Sequence, residues 1–277
     1  MSSLNCPETE SDCLRPLRHG TRLFVVSPHL DDAVFGCAGL LARHPGAIVC
    51  TVFAGEPRER MKTPWDASCG FADSHVAMRV RWREEERALA ICEAQPLRLG
   101  FLDAQYGATP AVEAVAEALA AQYERFAAYL PVCPFGLWHS DHKLVGAACR
   151  RLLRDGRFAH CIAYEDAIYR AQPGALDEGL QGIEDDGLRA TPIDTRRPGA
   201  AESRRLAAVK RRAIGAYRSQ LRAFKTVPPD AVRPERYWHV ERAARGEARG
   251  VERQREAAPS PQMSGVPPVT AIVAPEM

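Results

Sequence analysis

TRLFVVSPHLDDAVFGCAGLLARHPGAIVCTVFAG, residues 21–55, holds two apolar, β-rich runs with a helically spaced segment between them. TRLFVVS (21–27) is apolar without alternation, which suits a strand buried on both faces. AVFGCAGLLARH (33–44) places its apolar residues at helical spacing, and AIVCTVFAG (47–55) repeats the strand signature. Strand, helix and strand in close succession predict a parallel βαβ unit.

The pattern continues outward. A long loop (55–75) carries Gly, Pro, Trp65 and Asp66, and VAMRVRWREEERALAICEA (76–94) reads as an amphipathic helix. LRLGFL (97–102) is a third strand. TPAVEAVAEALAAQYERFAAYL (109–130) is a helix with Thr109 as N-cap and Pro110 at its first position. PVCPFGLW (131–138) is a strand made irregular by Pro131 and Pro134. DHKLVGAACRRLLRDG (141–156) is a helix closed by Gly156, and FAHCIAYE (158–165) is a fifth strand. The expected fold is a single α/β domain, Rossmann-like, with a mostly parallel sheet flanked by helices. Residues 171–200 read as an insertion and SRRLAAVKRRAIGAYRSQLRAF (203–224) as a late basic helix. By this reading 1–19 is a loose leader, 20–225 the folded domain, 226–256 a C-terminal extension with a helix-capable charged run, and 257–277 a disordered tail.

Composition limits the function. The chain has 277 residues, of which 46 % are hydrophobic and 26 % charged, excluding a fully disordered, collagen-like or coiled-coil protein. Lys+Arg is 37 against Asp+Glu 35, a net charge of +2, which gives no sign of a nucleic-acid partner. The basic residues of the late helix lack the interleaved aromatics of a nucleic-acid surface. Nine cysteines show no C-x-x-C spacing and several sit in apolar runs, so they read as reduced core thiols of a cytoplasmic protein. No apolar run approaches the ~20 residues of a membrane helix. The polar start MSSLNCPETESDC lacks the features of a signal peptide.

The chemistry is expected at two strand ends. The first strand runs into Ser27-Pro28-His29-Leu30-Asp31-Asp32-Ala33, the fourth into Trp138-His139-Ser140-Asp141-His142-Lys143. Open parallel sheets bind ligands outside the carboxyl ends of their strands, so both clusters can converge on one pocket. Two histidines and a carboxylate would fill three positions of a catalytic zinc site, leaving one open for water. The same donors suit Fe(II) or another divalent metal. Remaining carboxylate and imidazole groups could move the protons of a hydrolysis. Spacing does not say which of Asp31 and Asp32 would bind the metal. A nucleotide-binding reading is disfavoured because the first strand–helix turn has no G-x-G-x-x-G.

S-P-H-L-D-D, followed 110 residues on by H-S-D-H, resembles the PIG-L/LmbE-like deacetylases, whose usual patterns are A/P-H-P-D-D-E and H-P-D-H. RWREEERALA (81–90) and KRRAIGAYRSQL (210–221) look like that family's R-x-x-E-x-x-x-A and K-x-x-A-x-x-x-Y/H-x-S-Q helices, so the resemblance covers about 20–225. It implies a zinc-dependent hydrolase that removes an acetyl or other acyl group from an N-acylated amino sugar of the GlcNAc type, in a glycoconjugate or sugar precursor. It implies His29, Asp32 and His142 as metal ligands, Asp31 as general base on the metal-bound water and His139 as oxyanion stabiliser or acid. Asp141 would orient or tune His139. Leu30, Ala33 and Ser140 depart from the family's Pro, Glu and Pro, and none of these removes a ligand or the base. An amidase on a thiol–sugar conjugate would use the same metal centre, and a non-catalytic sugar-binding relative would need neither Asp31 nor His139.

Substrate contacts are expected from Trp65 and Asp66 in the long loop, from Arg83, and from Glu165, with Asp166 and Tyr169, after the fifth strand. His19, His44, His75, His160 and His239 stand alone and are not expected to bind metal. The partner is a small amino-sugar glycoconjugate. Oligomeric state is not legible.

Overall fold

The computed structural model of the protein describes residues 20–107, 109–193 and 199–243. The elements are β1 (Leu23–Ser27), α1 (Asp32–Leu41), β2 (Ile48–Thr51), α2 (Pro64–Ser68), α3 (Ser74–Ile91), β3 (Gln95–Arg98), α4 (Val112–Tyr123), β4 (Leu130–Pro134), α5 (Ser140–Arg154), β5 (His160–Tyr164), α6 (Ala175–Asp185), β6 (Leu188–Pro192), α7 (Ala200–Ile214), α8 (Arg218–Ala223) and β7 (Tyr237–Arg242). One seven-stranded mixed sheet runs in the order β3-β2-β1-β4-β5-β7-β6. The first five strands in that order are mutually parallel, and β7 pairs antiparallel with both β5 and β6.

β1 explains why the sequence reads as it does. Leu23 and Val25 enter one apolar layer, against α1 and α3, while Phe24 and Val26 enter the other, against α4 and α5. All four are fully buried, because successive side chains on a strand point to opposite faces and both faces are covered. The order of strands also sets the site. From β1 the chain winds outward through β2 to β3, then returns across the sheet to place β4 on the other side of β1. The two halves therefore part between β1 and β4, and in such sheets the crevice opens at the carboxyl ends of those strands. Both motifs lie at that crevice.

The sequence pattern erred where tertiary contacts override it. β3 begins at Gln95 because Gln95–Arg98 pair with β2, while Gly100 instead bridges antiparallel to Phe53. Helix α4 starts at Val112 with Ala111 as N-cap, so Thr109 and Pro110 lie outside it. The late helix is broken into α7 and α8 around Gly215–Tyr217. The supposed insertion contains α6 and β6, and the supposed C-terminal extension contains β7. The sheet therefore runs past residue 225 to Arg242. The leader, the tail and almost all of the charged run from 241 lie outside the described residues, and Glu241 and Arg242 are strand. Seven cysteines are described, all buried and free, while Cys6 and Cys13 lie outside the described residues. No described helix is long and apolar enough to cross a membrane.

Candidate metal centre

Each half of the site is built by a strand that stops and a helix that starts. After β1, the Ser27 hydroxyl donates to the His29 carbonyl at 2.6 Å and accepts from the Ala33 N–H at 3.0 Å, which closes the turn. Asp31 is the N-cap residue of α1 and Asp32 its first residue. The Tyr217 hydroxyl clamps the Leu30 carbonyl at 2.9 Å, and the Leu30 side chain packs with Ala54, Met78 and Tyr106. After β4, His139 is the N-cap of α5, its Nδ1 accepting the Asp141 N–H at 3.2 Å. A neutral His139 therefore carries its proton on Nε2.

The structure brings His29, Asp32 and His142 together, with one ligand atom of each within 4.8 Å of the others. His29 Nδ1 and His142 Nε2 each lie 3.1 Å from Asp32 Oδ2. Tetrahedral zinc bonds of ~2.0–2.1 Å would set neighbouring donors ~3.3–3.4 Å apart, so these spacings are close to those a cation imposes. His142 Nε2 is buried and makes no hydrogen bond, despite its nearness to Asp32. A buried polar atom left this way needs a partner, and an imidazole nitrogen beside a carboxylate and a second imidazole nitrogen fits a divalent cation.

The far nitrogen of each histidine rests on a buried carboxylate. His29 Nε2 lies 2.9 Å from Asp141 Oδ2, and His142 Nδ1 lies 2.6 Å from Asp166 Oδ1. Such pairs orient a ligating imidazole and raise its basicity. The Asp141 carboxylate, expected beside His139, is hydrogen-bonded to His29; it still lies close enough to His139 to act on it through its charge, and its main-chain N–H donates to His139 Nδ1. Asp166, read from the sequence as a substrate contact, is instead the buried support of His142, and its Oδ2 accepts from Gly136 and Leu137 N–H at 2.8 and 3.0 Å. The Ala104 N–H also donates to Asp141 Oδ2, at 3.2 Å. No motif marked Ala104, since a main-chain donor has no sequence signature.

The electrostatics follow from these contacts. Burial alone would lower both ligand-type histidines. Hydrogen bonds that His29 donates to Asp141 and Asp32 nonetheless hold it well above its usual value, and the Asp32 and Asp166 charges push His142 up to about 9. Burial would raise Asp32, but the His142 charge outweighs it and keeps that carboxyl well below the usual range. Asp31 lacks such a partner. Burial and the adjacent Asp32 charge push it up to about 7. His139 is lowered by burial and by its cationic histidine neighbours, so it stays neutral at pH 7.

The four expected substrate residues are placed differently. Asp66 is buried and committed, accepting from Arg81 at 2.8 Å and from the Tyr106 hydroxyl at 2.9 Å. Trp65 packs edge-on against Phe224 at 5.4 Å. Arg83 lies on the exposed face of α3, and the arginine that α3 turns inward is Arg81. Glu165 is buried against β7, accepting the Trp238 indole N–H at 3.1 Å. Asp66 and Glu165 are thus paired within the fold, Arg83 faces solvent, and Trp65 keeps an exposed face beside Phe224.

Residues 24–153 match the family model described as PIG-L, GlcNAc-PI de-N-acetylase. No curated protein matches the chain in sequence. Among solved structures, a deacetylase of an antimicrobial pseudoaglycone aligns with a TM-score of 0.63 and 24 % identity, over 81 % of this chain and 98 % of that one. A teicoplanin deacetylase in a zinc-inhibited form aligns with a TM-score of 0.66 and 21 % identity, over 81 % and 100 %. GalB, a 4-carboxy-2-hydroxymuconate hydratase from Pseudomonas putida, aligns with a TM-score of 0.50 and 18 % identity, over 92 % and 100 %. At these identities the likeness establishes a shared fold, and that fold carries more than one chemistry. The matched segment runs from β1 through α5 and so contains both halves of the centre just described: residues 24–153 form a PIG-L family domain.

Proposed function

We propose that this protein is a metal-dependent hydrolase that removes an acyl group, most simply acetyl, from an N-acylated amino sugar of the GlcNAc type. The observation that carries this reading is the His29–Asp32–His142 cluster, with its unpartnered buried His142 nitrogen and with Asp31 beside it. The PIG-L family domain and the deacetylases among the structural neighbours support the substrate class.

His29, Asp32 and His142 would hold the cation, for which zinc is the first choice and Fe(II) the next. When bound, a divalent cation supplies Lewis acidity, lowering the pKa of a water molecule towards ~7 and polarising an amide carbonyl. Asp31, next in the chain to Asp32 and buried at the start of α1, takes the proton of the attacking water. The water oxygen bonds to the amide carbon, and negative charge develops on the former carbonyl oxygen. His139, neutral with its proton on Nε2, donates a hydrogen bond to that oxygen. Collapse breaks the C–N bond, and the proton held by Asp31 passes to the leaving amine. The products are a carboxylic acid and the free amino sugar. Asp141 and Asp166 hold His29 and His142 in place throughout. We place the reaction in a reducing compartment such as the cytoplasm, in keeping with seven free buried thiols.

The test is amine release from a panel of N-acetylamino-sugar glycosides, with chelated protein and with zinc restored. Release that returns with zinc supports the reading. A protein holding one equivalent of zinc that releases no amine from any N-acylated sugar would sink it.

A further inference from the structure

The loop between β4 and α5 places a tryptophan in a backbone conformation that tryptophan rarely takes. Trp138 has a φ of +58°. It stands at the apex of a three-residue turn closed by the His139 N–H on the Leu137 carbonyl at 2.7 Å. That form of turn is rare and strained. A glycine would adopt it freely, yet an indole occupies the position. The same happens next door. Ile168, with φ +76° and ψ −51°, precedes Tyr169 and aims it.

The two strained positions serve one arrangement. The Trp138 and Tyr169 rings stack with centroids 5.7 Å apart and planes 19° from parallel. Tyr169 then meets the centre, edge-on to His142 at 4.6 Å and tilted over His139 at 5.5 Å. The stack thus leads from the histidines outward. Its outer member stays exposed, with 38 % of Trp138 accessible. The turn beneath it is tied down, because Gly136 and Leu137 donate to Asp166. Strained backbone persists where the surrounding structure over-determines it, and it concentrates where a side chain is put to use. Folding alone gives no reason to strain the chain in order to leave an indole half in water.

We propose that the Trp138–Tyr169 stack is the platform for the sugar ring that bears the N-acyl group, the C–H face of the pyranose lying on the indole face turned away from Tyr169. This rests on the deacetylase reading above and names the part of the site that recognises the sugar. Rigid aromatic faces orient apolar ring surfaces at little entropic cost, and polar groups elsewhere fix the register. By its position Trp138 is a specificity residue, and the proton transfers belong to Asp31 and His139.

The experiment compares wild-type, Trp138→Ala and Trp138→Phe proteins, each zinc-loaded, with methyl N-acetyl-glucosaminide as probe. In Trp138→Ala, KM should rise by about tenfold with kcat within about threefold, as loss of one aromatic stacking contact implies. Trp138→Phe should recover part of the affinity. A second measurement needs no turnover: titration of the Asp31→Asn protein with the same glycoside should change tryptophan fluorescence, and the change should vanish when Trp138→Phe is added. An unchanged KM in Trp138→Ala overturns the platform while the deacetylase reading stands. A fall in kcat at constant KM overturns it too, because Trp138 would then only position His139. If the zinc-loaded wild type releases no amine from this glycoside or from any N-acylated sugar of the panel, but the Trp138-dependent fluorescence change is present, the platform stands and the deacetylase reading falls. If neither signal is found, both fall.

Discussion

Asp32 and Asp66 are both aspartates packed among cations, and they teach opposite lessons. Asp66 faces the Arg81 guanidinium at 2.8 Å, with the Tyr106 hydroxyl completing its shell. Asp32 faces two imidazoles, His29 and His142, at 3.1 Å each. Arginine never gives up its proton, so the Asp66 assembly stays an ion pair that holds the loop to α3, even though the buried Arg81 Nε makes no hydrogen bond of its own. Imidazoles do give theirs up, and then present lone pairs beside the carboxylate. The Asp32 assembly can therefore exchange protons for a divalent cation, and the Asp66 assembly cannot. What separates the two is the identity of the cationic partner, not burial or charge count.

The contrast can be broken first at Asp31. Asp31→Asn removes the proposed base and leaves the three proposed ligands, so turnover should fall by ~10²–10⁴-fold while metal analysis still finds zinc. Unaltered turnover would remove Asp31 from its role. On the structural side, Arg81→Met strands Asp66, which is 1 % exposed, and should cost ~3–5 kcal/mol, read as a lower urea midpoint. Adding Asp66→Asn should return much of that loss, since the buried charge goes with its partner. A double variant no more stable than Arg81→Met would show that the pair is not the source of the effect.

Protons sharpen the same contrast. Between pH 6.5 and about 9, His142 binds a proton in the folded metal-free protein that the unfolded chain has released. The stability it contributes is fully present below 6.5 and is lost as pH rises through about 9. Metal-free protein should thus melt at progressively lower temperature over that window. Zinc competes with those protons, so its affinity should climb with pH and its binding should release protons, visible by calorimetry in buffers of differing ionisation enthalpy. A zinc affinity flat from pH 6 to 9 would argue against His29 and His142 as ligands. Asp31, at about 7 without metal, should move lower beside a cation, so the acid limb of kcat/KM should lie below pH 7. The smallest effect is expected at the surface, where Arg157→Ala removes an exposed pair with Glu124 and should change stability by no more than ~0.5 kcal/mol.

Much of the site could be read before any coordinates. His29, Asp32, His139 and His142 sit in two short motifs at strand–helix junctions, and local sequence is enough to make those junctions. Apolar β1, alternating between two buried layers, together with the helix after it, declares a parallel sheet, and a parallel sheet fixes which end of its strands carries the chemistry. Other features depend on residues far apart in the chain. That Asp141 supports His29, and Asp166 His142, follows from how β1, β4 and β5 align. No spacing rule encodes that alignment. That Asp66 and Glu165 are consumed internally depends on α3 and β7 supplying Arg81 and Trp238. The antiparallel β6 and β7 escaped notice because short strands in segments rich in turn residues carry little periodicity until β5 offers an edge. Local chemistry is written in adjacent residues and survives reading one stretch at a time, whereas the partner that neutralises, orients or buries a group comes from wherever folding brings it.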